Sequence, residues 1–81
     1  MTQERPLNFE TAQQRQEWII KHAEYFTTCR MIARRYIRAE HKSLDDARQA
    51  AKLLLAEDAS KPILIYAVQG NSDTYIEMVK P

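Results

Sequence analysis

From Thr11 to Lys42 the apolar residues recur at helical spacing. At about 100° per residue, Trp18, Ile19, His22, Ala23, Tyr25, Phe26, Cys29, Ile32, Ala33, Tyr36 and Ile37 fall within roughly half of a helix circumference. This predicts one long amphipathic helix whose apolar face is buried. The opposite side carries Glu17, Lys21, Glu24, Thr28, Arg35 and Lys42, with Glu17 four residues before Lys21 in the favourable ion-pair orientation. Ile20 and Met31 interrupt that polar side, as scattered surface apolars or as part of a second contact. Two N-caps compete for the helix start: Asn8, and Thr11 with Gln14 three residues later in capping-box spacing.

Ser43 is the N-cap of a second helix, predicted over Leu44 to about Asp58, with Asp45 and Asp46 where the helix dipole favours acidic residues. Leu44, Ala47, Ala51, Leu54 and Leu55 share its inward face, while Ala50 and Leu53 point elsewhere. Lys61-Pro62 ends the helical stretch. Then Ile63 to Val68 is β-branched and aromatic, Gln69 to Asp73 is turn-rich, and Thr74 to Val79 is strand-like again, which predicts a β-hairpin.

The expected fold class is therefore α+β in the order ααββ: a long amphipathic helix, a shorter one and a C-terminal antiparallel hairpin. Residues 1–10 are expected to be a flexible arm and 11–81 a single α+β domain. The expected core is Trp18, Ile19, Phe26, Ala33, Ile37, Ala51, Leu54 and Ile65. Ile63, Ile65 and Ala67 fill one face of the first hairpin strand, whereas Leu64, Tyr66 and Val68 fill the other, so both faces need cover. Two strands alone are marginal in water, so the sheet is expected to be completed or covered by homodimerisation. Cover by Leu7 and Phe9 is the monomeric alternative.

With 81 residues the chain is near the low end for a self-sufficient core, which again favours association. Twelve Lys and Arg against eleven Asp and Glu leave a formal charge of +1, far from the strongly basic balance of an autonomous nucleic-acid binder. The lone Cys29 excludes an internal disulfide and reads as a small buried hydrophobe, in keeping with a reducing, cytoplasmic setting. No apolar run approaches the roughly twenty residues that span a bilayer, and Met1 to Pro6 lacks the features of a signal peptide. No membrane association is expected.

Candidate chemistry is sparse. One glycine, in the hairpin turn, rules out the glycine-rich nucleotide-binding loops. His22 and Cys29 lie seven residues apart, about 10 Å along a helix, too far for a shared metal without other ligands. Asp45 and Asp46 diverge by about 100° on a helix and are explained by its dipole. No catalytic residue, cofactor or metal is expected. Arg30, Arg34 and Arg38 form an edge at i, i+4, i+8 that needs acidic neighbours such as Asp45, Asp46, Glu57 or Asp58, a partner, or phosphate. Arg30, Arg34, Arg35, Arg38 and Lys42 are thus the candidate anion or partner site, and Leu64, Tyr66, Val68 and Tyr75 the candidate interface. Glu77, isolated among apolar residues, is expected at solvent, an edge or a basic partner.

The function these features favour is a small non-catalytic interaction or regulatory module that binds an unidentified protein, as a homodimer. The second reading is a nucleic-acid-associated regulator in which the basic edge contacts phosphates and Tyr36 or Tyr66 stacks on bases.

Overall fold

The computed structural model describes residues 9–81. In chain order the elements are helix α1 (Ala12–Lys21), strands β1 (Tyr25–Ile32) and β2 (Arg35–His41), helix α2 (Leu44–Glu57), and strands β3 (Ile63–Gln69) and β4 (Ser72–Val79). A helix followed by a hairpin is thus used twice. The strands form one antiparallel sheet in the order β2-β1-β3-β4, with the two hairpins joined through β1 and β3.

The ααββ expectation is wrong at its first element. The helix that begins at Thr11 stops at Lys21, and the stretch expected to be its second half is the β1–β2 hairpin. Tyr25, Phe26, Thr27, Thr28, Ile32, Tyr36 and Ile37 are β-branched or aromatic, types that lose rotamer freedom in a helix and pack well on a pleated surface. Pairing decides the matter, since β1 is central and hydrogen-bonds to β2 on one side and β3 on the other. The expectation that the sheet needs a second copy to complete it falls with this, because its third and fourth strands come from the same chain.

The turn between β1 and β2 hid this hairpin. Ala33 and Arg34 both have positive φ, 48° and 67°, as a two-residue primed turn requires. The usual residues for such a turn are Asn, Asp and Gly, and neither is here. At the other hairpin Gly70 has φ 58° and supplies that conformation without strain.

The remaining elements follow their local signals. Thr11 caps α1, its Oγ1 accepting from Gln14 N at 3.1 Å, and Ser43 caps α2 in the same way from Asp46 N. Asp45 and Asp46 occupy the first turn of α2. Its Ala47 and Ala51 are fully buried against Ile63 and Ile65 of β3, with Phe26, Leu44, Leu54, Leu55, Ile76 and Val79 packed around them. Small side chains on the helix let it approach a sheet of large ones. Helix α1 lies against β3 and β4, with Ile19 fully buried.

Of the expected core, Ile19, Ala51 and Ile65 are buried and Trp18, Phe26 and Leu54 half-buried. Ala33 and Ile37 are exposed, because both belong to the hairpin rather than to a helix face. The expected N-terminal arm lies, up to residue 8 and including Leu7, outside the described residues. Phe9 packs on Trp18, with ring centroids 6.2 Å apart, and Trp18 stacks on His22 at 4.5 Å.

A register shift beside Ile65 and Tyr66 leaves Ile76 of β4 as an extra residue, so Glu77 faces Ile65 and Tyr75 faces Tyr66. Ile76 and Glu77 consequently both serve the α2 side: Ile76 packs in the core and Glu77 meets Arg48 of α2 at 2.6 Å.

Candidate interaction surface

The alternation of side chains divides the sheet into two unlike faces. Phe26, Thr28 and Arg30 of β1 share a face with Ile63, Ile65 and Ala67 of β3, and α2 packs there. The other face carries Tyr25, Thr27, Cys29 and Met31 of β1, Tyr36, Arg38 and Glu40 of β2, Leu64, Tyr66 and Val68 of β3, and Asp73, Tyr75 and Met78 of β4. On this second face Met31, Tyr36, Tyr75 and Met78 are exposed, Tyr36 by 66%.

Arg38 organises that face. Its neighbour on β1 is Cys29, and next along the same face is Thr27, both small enough for the long side chain to pass over β1. Its guanidinium lies 5.3 Å from the Tyr66 ring centroid on β3 and 3.7 Å from the Asp73 carboxylate on β4. Tyr66 in turn meets Tyr75 edge-on, 6.0 Å between centroids at 75°. One arginine therefore connects three strands. The covered Thr27 is 5% exposed and its Oγ1 has no hydrogen-bond partner, a desolvated hydroxyl of the kind that costs stability.

Arg38 separates two depressions. Toward the β1–β2 turn an apolar one of about 250 Å³ is lined by Met31, Tyr36, Leu64 and Met78 with Lys61 at hand. Toward the β3–β4 turn a more polar one of about 330 Å³ includes Tyr25, Thr27, Glu40 and Asp73. Glu24 holds two of its lining residues, its N–H donating to Val68 O and its carboxylate accepting from Gly70 N, at 2.8 and 2.9 Å.

The five basic residues of the expected anion edge do not form one surface. Arg30 is 7% exposed on the opposite face and donates to the carbonyls of Leu54 and Asp58, where α2 ends. The Leu54 carbonyl also accepts from Asp58 N at 3.0 Å, and the cation suits the negative end of the helix. Of the acidic residues expected beside the edge, Asp58 meets Arg30 through its backbone oxygen, whereas Arg38 pairs with Asp73. Hydrogen bonds from Ser60, side chain first and backbone second, keep the Asp58 carboxyl below the usual range, assisted by Arg30 and opposed by desolvation. Arg34 sits in the β1–β2 turn, Arg35 opens β2, and Lys42 follows it, all exposed.

The four candidate interface residues, Leu64, Tyr66, Val68 and Tyr75, do share one face, the one opposite α2. Leu64 and Tyr66 are half-buried, Tyr75 is exposed and Val68 is buried. Met31, Tyr36, Arg38 and Met78 join them there. Met31 left a trace in the sequence as an apolar residue out of phase with the helix. Tyr36 was legible only as a base-stacking candidate, because in the helical reading it lay on the buried face.

A Thr28–His41 hydrogen bond of 3.0 Å has the form of a hydroxyl beside a base, but Thr28 is buried on the α2 side, where no substrate reaches it. Among the described residues no group of His, Cys, Asp and Glu is placed to hold a metal. No described helix is long and apolar enough to cross a membrane. The chain matches no family model, no curated protein and no solved structure.

Proposed function

We propose that this protein is a small non-catalytic interaction module that binds a protein partner through the open face of its sheet, and that it acts as a homodimer. The observation that carries the reading is the cluster of exposed Met31, Tyr36, Tyr75 and Met78 around half-buried Leu64 and Tyr66. Aromatic residues, methionine and arginine are the types enriched in interface cores, and a contiguous patch of them is uncommon on a monomer without a binding role. Methionines adapt to a partner's shape, and tyrosines add area at small entropic cost.

Nucleic-acid binding has less behind it. With Arg30 turned to α2 and Arg38 paired with Asp73, the phosphate contacts would fall to Arg34, Arg35 and Lys42, on a chain of net charge +1.

Light scattering at micromolar concentration is expected to give twice the chain mass. Tyr75→Ser with Met78→Ser, both at exposed sites, is expected to keep the fold and lose the protein partner. A monomer that binds generic DNA or RNA with steep salt dependence, lost on Arg34→Glu with Arg35→Glu, would replace this reading.

A further inference from the structure

We propose that two copies of the chain join edge to edge along β2, antiparallel, about a two-fold axis through Ile37. The result is a continuous eight-stranded sheet from two four-stranded ones, with helix α2 of both copies on one side. This specifies the surface of the homodimer and rests on that reading.

The distal part of the β1–β2 hairpin is bare on both sides. Every residue from Met31 to Glu40 is exposed, including Ile32 and Ile37 on the α2 side and Met31 and Tyr36 on the open side. Strand β2 is an edge strand, paired only with β1 among the described residues. Edge strands that stay single are blunted by proline, a bulge, a covering element or charged side chains. Residues Arg35 to His41 include no proline, and their register with β1 is unbroken from Phe26–His41 to Ile32–Arg35. The edge is unbroken and open, and its Arg35, Arg38, Glu40 and His41 flank exposed Tyr36 and Ile37, so it can be paired in a register that matches those charges.

The register follows from symmetry and charge. In a continuous sheet, residues facing each other across the seam project to the same face, so the axis must pass through a residue rather than between two. An axis at Arg38 sets it against its own copy, and one at Tyr36 sets Arg34 against Arg38; like charges directly opposite are unfavourable. An axis at Ala39 faces Arg38 with Glu40, but it places exposed Ile37 beside His41 and Tyr36 beside Lys42. An axis at Ile37 packs that residue, 52% exposed in one copy, on its twin. It also sets Tyr36 against the aliphatic stem of Arg38, Arg35 against Ala39, and Arg34 toward Glu40. The strand's two most exposed apolar side chains then meet at the seam, and each charge faces a neutral or opposite group.

Disulfide trapping tests this. Facing residues on antiparallel strands have Cα atoms about 4.5–5.5 Å apart, within disulfide reach. In a Cys29→Ser background, Ile37→Cys is expected to form a covalent dimer on mild oxidation, and Ala39→Cys to lag far behind it. Ile37→Lys, at an exposed site, is expected to keep its circular dichroism and become monomeric by light scattering. Trapping at Ala39→Cys instead of Ile37→Cys overturns the Ile37 register, and an undiminished dimer with Ile37→Lys overturns the β2 seam while the homodimer stands. A dimer lost with Tyr75→Ser and Met78→Ser but not with Ile37→Lys does the same, in favour of face stacking. A wild-type monomer overturns both.

Discussion

The two hairpins of this protein have the same topology and opposite circumstances. β3–β4 turns through Gly70 and presents Ile63, Ile65 and Ala67, all fully buried, to the helices. β1–β2 turns through Ala33 and Arg34, both forced to positive φ, and leaves Met31 to Glu40 exposed. One is stabilised from above by packing and from below by its turn. The other is stabilised chiefly where β1 runs beside β3 and weakens away from it. Local stability in a fold follows buried apolar contact, and segments that meet partners come from its low end. The contrast places the deeper burial in β3–β4 and the most exposed surface in the outer part of β1–β2.

The largest expected effect tests that contrast at matched side chains. Ile65→Ala removes a fully buried residue and should lower unfolding free energy by about 2–5 kcal/mol, whereas Ile32→Ala, on the exposed hairpin, should change it by no more than about 0.5 kcal/mol. Urea titrations of the two variants measure this directly. Comparable losses would mean that the distal hairpin is as well packed as the core.

Next in size is the hydrogen-bonded tie between Arg30 of β1 and the end of α2. Arg30→Ala abandons the carbonyls of Leu54 and Asp58 and should cost about 1.5–3 kcal/mol, the range for hydrogen bonds from a charged donor. Its amide exchange should rise first in the last turn of α2.

The turns should respond with opposite signs. Arg34→Gly relieves a left-handed conformation and should raise stability by about 1 kcal/mol, while Gly70→Ala should lower it by about the same amount. A Cβ at Gly70 meets nothing within 4 Å, so that loss is conformational rather than steric. Thermal melts of both variants sharpen the comparison. The same sign in both would remove turn strain from its explanation.

Smaller still is the Arg48–Glu77 pair, which is partly exposed and should contribute at most about 1 kcal/mol, fading with added salt. A double-mutant cycle to alanine at low and high salt reads it. Asp58 contributes in a defined direction with pH. Its folded carboxyl titrates lower than in the unfolded chain, so its contribution is present above the ordinary carboxylate range and is lost as pH falls through the folded value. The stability gap between wild type and Asp58→Asn should therefore narrow in acid.

The sequence by itself determined everything signalled within a few residues. Ser43 marked the start of α2, and Thr11 with Gln14 was one of two competing caps for α1, because a capping hydroxyl needs only a backbone N–H two or three residues on. Gly70 marked the β3–β4 turn, and Ala47, Ala51, Leu54 and Leu55 marked the inward face of α2. The two faces of β3 were likewise legible from strict alternation.

The tertiary structure alone decided residues 22–42. Their apolar positions fit a wide helical arc, and their β-branched and aromatic content fits a strand, so local preference was divided. Neither glycine nor asparagine punctuated the turn at Ala33 and Arg34. What resolved the ambiguity was β3, thirty-odd residues away, which offered β1 a hydrogen-bonding edge along Tyr25 to Cys29. The same event dispersed the candidate basic edge: alternation sent Arg30 to the α2 side and Arg38 to the open face, where a helix would have kept them together. Strand pairing is a long-range interaction whose partner no local pattern names, and it set both the topology and the surface this protein presents.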